Sequence, residues 1–126
     1  MALLAFWNTN REHVLGQTVQ QILSNAGDGK LRDGSECSRE FRAFLREAPS
    51  EHLYQYVQYC LESSFSDSGL VLQDLVNEIG RRLEFEAEDG LYRGRRSMVG
   101  FDGIWRSEDS PDILIEVKTT DYITIA

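Results

Sequence analysis

The sequence predicts an α+β protein in which a helical N-terminal half is followed by one more helix and a three-stranded antiparallel meander. Two patterns carry this expectation. Apolar residues recur at helical intervals through the first two thirds of the chain, and after Arg82 the period changes to two, with Leu83, Phe85 and Ala87 alternating with Glu84, Glu86 and Glu88. Length is the third consideration: 126 residues suit one core with a small extension better than two independent cores. Residues 1–66 form the helical region, and 67–126 the last helix and the meander.

Thr9 and Glu12 have capping-box spacing. Val14, Leu15, Thr18, Val19, Ile22 and Leu23 follow at helical intervals, so a first helix is expected from about Asn10 to Ser24. Residues 27–34 read as a connector. Their Gly29-Lys30 lacks the first glycine and the following Ser or Thr of a phosphate-binding loop, and their acids lack calcium-loop spacing. Ser35 can cap a second helix carrying Phe41, Phe44 and Leu45. Pro49 suits the first turn of a third, with Leu53, Tyr56, Val57, Cys60 and Leu61 on one stripe. Asp67 or Ser68 can cap a fourth helix running to about Arg82, with Leu72, Leu75, Val76, Ile79 and Leu83 as its buried stripe.

The alternation from Leu83 marks a half-exposed strand. Asp89-Gly90 is a two-residue hairpin signal leading to Leu91-Tyr92-Arg93. A second strand is expected after Arg95-Arg96-Ser97, with Val99, Phe101, Gly103 and Trp105 on one face and Gly100, Asp102 and Ile104 on the other. Ser107 to Ser110 is a polar turn. The third strand, Asp112 to Thr119, places Ile113, Ile115 and Val117 on the core face and Asp112, Leu114, Glu116 and Lys118 on the opposite one.

Composition narrows the function. With 41% hydrophobic and 27% charged residues and two prolines, the chain is globular, not disordered. The apolar start, Met1 to Trp7, has no basic lead and is too short for a secretory or membrane-spanning segment, so a cytoplasmic location is expected. Cys37 and Cys60 have no CxxC or histidine companion and read as reduced thiols, without a disulfide framework or zinc site. His13 and His52 stand alone and read as structural or solvated. A net charge of −8 argues against bulk attraction to nucleic acid. Five of the basic residues, Arg81, Arg82, Arg93, Arg95 and Arg96, nevertheless cluster among Glu84, Glu86, Glu88 and Asp89. The cluster is open to two readings, a phosphate-facing patch or a solvated mixed-charge surface.

The chemistry concentrates near the end of the chain. A hairpin turning near Asp109 pairs positions whose numbers sum to about 218, which sets Asp102 opposite Glu116, about 5 Å apart. Like charges so placed destabilise a sheet unless a cation compensates them, and a divalent metal ion commonly does. Lys118, two residues on, projects from the same face as Glu116.

Gly100-Phe101-Asp102-Gly103-Ile104-Trp105 followed by Ile113-Leu114-Ile115-Glu116-Val117-Lys118-Thr119-Thr120 resembles the motif of the PD-(D/E)XK nuclease superfamily. Thirteen residues lie between the two acids, Phe101 replaces the proline of the motif name, and Pro111-Asp112 lies too close to Glu116 to supply its first half. The resemblance covers about Leu70 to Ile125. It implies a restriction-endonuclease-like core, incomplete at the C-terminus because that core continues with a further helix and strand. The chain is then a fragment of a longer polypeptide, or is completed by a homodimer partner or a following C-terminal segment, and is a poor nuclease alone.

The resemblance further implies a Mg²⁺-dependent deoxyribonuclease of type II restriction kind, with DNA as partner and Mn²⁺ as substitute cofactor. Asp102, Glu116 and the backbone carbonyl of Val117 would be metal ligands, and Lys118 would orient the attacking water or stabilise the developing charge. Glu78, on the helix before the first strand, would position a second metal or an outer-sphere water, its alternative being an ordinary exposed helix residue. A repair or recombination nuclease of the same fold and a non-catalytic helical interaction module are the rival readings.

Overall fold

The computed structural model describes residues 2–92 and 101–118, and among these described residues there are six helices and a three-stranded antiparallel sheet, an α+β arrangement. The order is α1 (Ala2–Thr9), α2 (Arg11–Leu15), α3 (Val19–Ser24), α4 (Glu36–Glu47), α5 (Ser50–Glu62), α6 (Ser68–Arg82), β1 (Glu86–Asp89), β2 (Gly103–Ser107) and β3 (Ser110–Ile115). The strands lie side by side in chain order. Among the described residues no helix is long and apolar enough to cross a membrane.

The helix expected over residues 10–24 is in fact two. Gly16 closes α2, and Thr18 opens α3 with a reciprocal cap: Gln21 N–H donates to Thr18 Oγ1 at 3.2 Å and Thr18 N–H to Gln21 Oε1 at 3.0 Å. Thr9 caps nothing. Its hydroxyl donates to Ala5 O at 2.8 Å inside α1, a helix formed by the apolar start of the chain, whose Leu3 and Trp7 are buried four residues apart. The Trp7 ring meets Phe44 of α4 edge-on at 5.1 Å. Ser35 caps α4 by accepting Ser38 N–H at 3.1 Å, and Phe41, Phe44 and Leu45 are buried as expected. In α5 the buried stripe is Leu53, Tyr56 and Cys60; Leu61, one position further round the helix, is 58% exposed. Both cysteines are free, and burial pushes Cys37 up to about 11 and Cys60 to about 12, which keeps the thiols protonated and inert.

Helix α6 is where the expected stripe fails most. Val71, Leu72 and Leu75 are buried, but so are Gln73, Asp74, Asn77, Glu78 and Gly80, whereas Val76 and Ile79 are half-buried and Leu83 is exposed. The reason is that α6 is covered on two sides, by α4 and α5 on one and by β1 and β2 on the other. Asp67 precedes its first turn, yet its carboxylate accepts Leu31 N–H at 3.0 Å and so ties down the 27–34 connector.

The first strand begins at Glu86, because Leu83 ends α6 and Glu84 takes a left-handed φ of 71°, the conformation that turns the chain back. Phe85 N–H then donates to Gly80 O at 3.1 Å. Asp89-Gly90 does not make a hairpin: β1 pairs with β2, from Glu86↔Arg106 to Asp89↔Gly103, and Gly90 N–H donates to Asp102 O. Leu91 and Tyr92 instead run back along α6, and Tyr92 N–H reaches Asp33 at 2.8 Å. Arg93, Arg95, Arg96 and the expected start of the second strand lie outside the described residues, as does Thr119.

The β2–β3 hairpin turns at Glu108-Asp109 in the register expected from its turn: Gly103↔Ile115, Ile104↔Leu114 and Trp105↔Ile113, with an irregularity between Trp105 and Ser107. Strand β3 is shorter than expected, ending at Ile115 instead of Thr119. Ile113, expected on the core face and paired with Trp105, is 42% exposed because β3 is the strand furthest from α6, whereas Gly103 and Trp105 meet that helix. Contact there is so close that a Cβ on Gly80 would collide with the Trp105 indole, and one on Gly103 with the Asn77 side chain. Gly80→Ala is therefore expected to destabilise the protein by about 1–2 kcal/mol, because overpacking against a large rigid ring outweighs the gain in helix propensity. Urea melts of Gly80→Ala in wild-type and Trp105→Ala backgrounds should show the penalty vanish once the ring is gone.

Candidate functional site

Asp102 immediately precedes β2 and Glu116 immediately follows β3, one step beyond the Gly103↔Ile115 pair. Both acids thus lie just outside the paired residues, at the same end of the β2–β3 hairpin. Asp102 is held at every backbone polar atom. Its N–H donates to Ile115 O at 2.9 Å, and its carbonyl accepts Gly90 N–H at 3.0 Å and Asn77 Nδ2–H at 2.8 Å. One carboxylate oxygen, Oδ2, accepts Val117 N–H at 2.6 Å, which turns the acid toward the strand carrying Glu116. Lys118 Nζ lies 2.9 Å from Glu116 Oε1. The hydrogen bond and charge of Glu116, with the charge of Asp102 behind it, raise the ammonium above the ordinary lysine range. Lys118 is thus protonated at neutral pH and can donate but not accept.

Lys118 is thus paired with Glu116, and Asp102 is held by the N–H of Val117, the residue between those two in the chain. Glu78 is not with them. Its side chain is 6% exposed, with Oε2 3.0 Å from Arg82 Nε and Oε1 3.6 Å from Arg81 Nη1. It is therefore not the exposed helix residue of the alternative reading. Among the described residues no three His, Cys, Asp or Glu side chains gather as a metal-holding group, so Glu78 adds no third carboxylate to the pair.

Neither Arg81 nor Arg82 faces outward as a phosphate patch would. Arg81 is 2.7 Å from Asp89 Oδ2, and Arg82 also donates to Leu45 O at 2.8 Å, to Ala48 O and to Ser50 Oγ at 2.9 Å, closing the end of α4. These pairs belong to a chain of alternating charge, Asp74, Arg42, Asp89, Arg81, Glu78 and Arg82, that sequence reasoning missed. The available signal was the recurrence of polar residues one turn apart on α6, at 73/74, 77/78 and 81/82.

The outer face of the sheet is acidic. Glu86, Glu88, Asp112, Asp102 and Glu116 share it with Arg106 and Lys118, and Arg106 is already engaged by Glu88 at 2.8 Å and Asp112 at 3.5 Å. A cleft of about 650 Å³ lined by Glu84, Glu86, Glu108, Asp109, Asp112 and Arg106 opens at the hairpin end, away from Asp102. The donor set at Asp102 and Glu116, with the Val117 carbonyl next along the chain, is all hard oxygen. It fits a small divalent cation and suits no soft metal. Comparison with protein-family models, with curated proteins and with solved structures found no match.

Asp74 gives a prediction independent of the site. Its carboxylate is fully buried, with Arg42 Nε at 3.1 Å and Tyr92 Oη donating at 2.6 Å. Burial pushes it up to about 6 from 3.8, with Arg42 and the Tyr92 hydrogen bond pulling the other way. A carboxyl whose folded pKa is raised binds more protons folded than unfolded between these values. Its contribution is therefore full below about pH 4 and is lost as pH rises through about 6. The stability of wild type relative to Asp74→Asn should fall by about 2 kcal/mol between pH 4 and pH 7, measured by urea denaturation at each pH.

Proposed function

We propose that the chain carries the catalytic centre of a Mg²⁺-dependent DNA endonuclease of restriction type, a core of the PD-(D/E)XK kind. The observation that supports this most is that Asp102 Oδ2 accepts the N–H of Val117, the residue between Glu116 and Lys118, which are themselves paired. Asp102, Glu116 and the Val117 carbonyl would hold Mg²⁺, or Mn²⁺ in its place, and the ion supplies Lewis-acid polarisation of a phosphate oxygen.

The protein's own part follows from the geometry. Asp102 is pre-aimed by the Val117 N–H, so little reorganisation remains when a cation arrives. Lys118, held as a cation, donates a hydrogen bond to the attacking water and stabilises charge building on the phosphoryl oxygens as water adds and the bond to the leaving sugar oxygen breaks. Glu78 has no part in this account, because two arginines occupy it. The acidic outer face repels a polyanion, so approach of DNA to this centre depends on the cation and on basic groups beyond the described residues.

Calorimetric titration with Mn²⁺ should show binding by wild type that is lost in Asp102→Ala; equal affinity would overturn the proposal. Lys118→Ala removes a cation and no ligand, so its Mn²⁺ affinity should be unchanged or slightly tighter. Plasmid cleavage in Mg²⁺ should meanwhile fall by about 10²–10³-fold. Undiminished cleavage by Lys118→Ala would remove Lys118 from the mechanism. Duplex and branched substrates compared in the same assay separate the restriction type from a repair or recombination nuclease.

A further inference from the structure

Asn77 lies in the middle of α6 with 0% exposure, and no step described above uses it. Its side-chain amide spans the gap between helix and sheet. Oδ1 accepts the Trp105 indole N–H at 3.2 Å, and Nδ2–H donates to the Asp102 carbonyl at 2.8 Å. Gly103 makes room for it, since a Cβ there would occupy the place of the amide. A buried amide with both ends satisfied is held in one orientation, and that orientation is imposed on the peptide it touches.

We propose that Asn77 is a positioning residue for the Asp102 carboxylate, acting through the Asp102 peptide. With the carbonyl fixed by Asn77 and Gly90 and the N–H fixed by Ile115, only two side-chain torsions of Asp102 remain free, and the Val117 N–H sets these. Loss of the Asn77 donor frees the peptide to tilt. The carboxylate then swings away from the Val117 N–H. Residues of this kind, one step behind a metal ligand, control the affinity of the ligand they orient. The inference about metal affinity rests on reading Asp102 and Glu116 as a divalent-cation site; the inference about orientation does not.

Two readouts separate positioning from simple support of the fold: Mn²⁺ affinity by calorimetry, and the chemical shift of the Val117 amide proton, which reports its bond to Asp102. Asn77→Leu, similar in volume but without polar atoms, should weaken Mn²⁺ binding about tenfold or more and move the Val117 proton upfield. Trp105→Phe removes the donor to Oδ1 and part of the ring but keeps the Asn77 donor to Asp102, and should lower stability while moving both readouts less than Asn77→Leu does. Folded Asn77→Leu with wild-type Mn²⁺ affinity and an unmoved Val117 proton would overturn the proposal. If wild type itself binds no Mn²⁺, the cation-site reading fails, and the Val117 proton in Asn77→Leu still decides the positioning role. If Asn77→Leu does not fold, Asn77→Ala, which also lacks the donor, is read by the same two measurements, and wild-type values of both would overturn the proposal.

Discussion

The seam between α6 and β2 is the constraint on which the rest of the structure depends. Two glycines make it possible: Gly80 lets the Trp105 ring lie on the helix, and Gly103 lets the Asn77 amide enter the strand. Backbone and ring approach closely enough for Trp105 and Asp102 to share one side chain as hydrogen-bond partner. Phe85 closes the seam at the helix end, its ring 5.3 Å from that of Trp105. Because the sheet has three strands and one covered face, its orientation is fixed by this seam, and so is the direction in which its other face looks.

Charge is managed differently on the two sides of the sheet. Beneath it, six charged side chains alternate in sign from Asp74 to Arg82, so each acid of this series has a cation near it. Arg82 extends this chain to the carbonyls that end α4, and Tyr92 extends it to the segment leaving β1. These pairs join elements far apart in sequence. They specify how the helical layer sits on α6 as much as they stabilise it, because each guanidinium fits one arrangement of acceptors.

How much of this was legible in the sequence follows from the same division. Helices with one buried face, α4 and α5, could be read from periodicity, and the β2–β3 register followed from a short polar turn and a period of two. What failed was whatever depended on a second neighbour. Helix α6 has no single buried stripe because it is covered twice, and its polar residues are buried by partners that periodicity does not reveal. Asp89-Gly90 carries hairpin chemistry, but Gly90 is instead pressed against the Phe101 and Asp102 backbone by pairing of β1 with β2. Of the candidate site, the placing of Glu116 beside Lys118 was accessible from a spacing of two. Asn77 was not, because its role exists only after α6 docks.

The outer face of the sheet is the part that folding alone does not account for. Beneath the sheet each polar residue on α6 has a structural partner, and removing one would leave another unsatisfied. Above it, Leu114 is 69% exposed and contributes little to the core, and Glu116 pairs with Lys118 at an exposed position where ion pairs stabilise weakly. An acid aimed by a backbone N–H and anchored from below by a buried amide, next to an ion pair that adds little stability, is held more firmly than pairing of the strands requires.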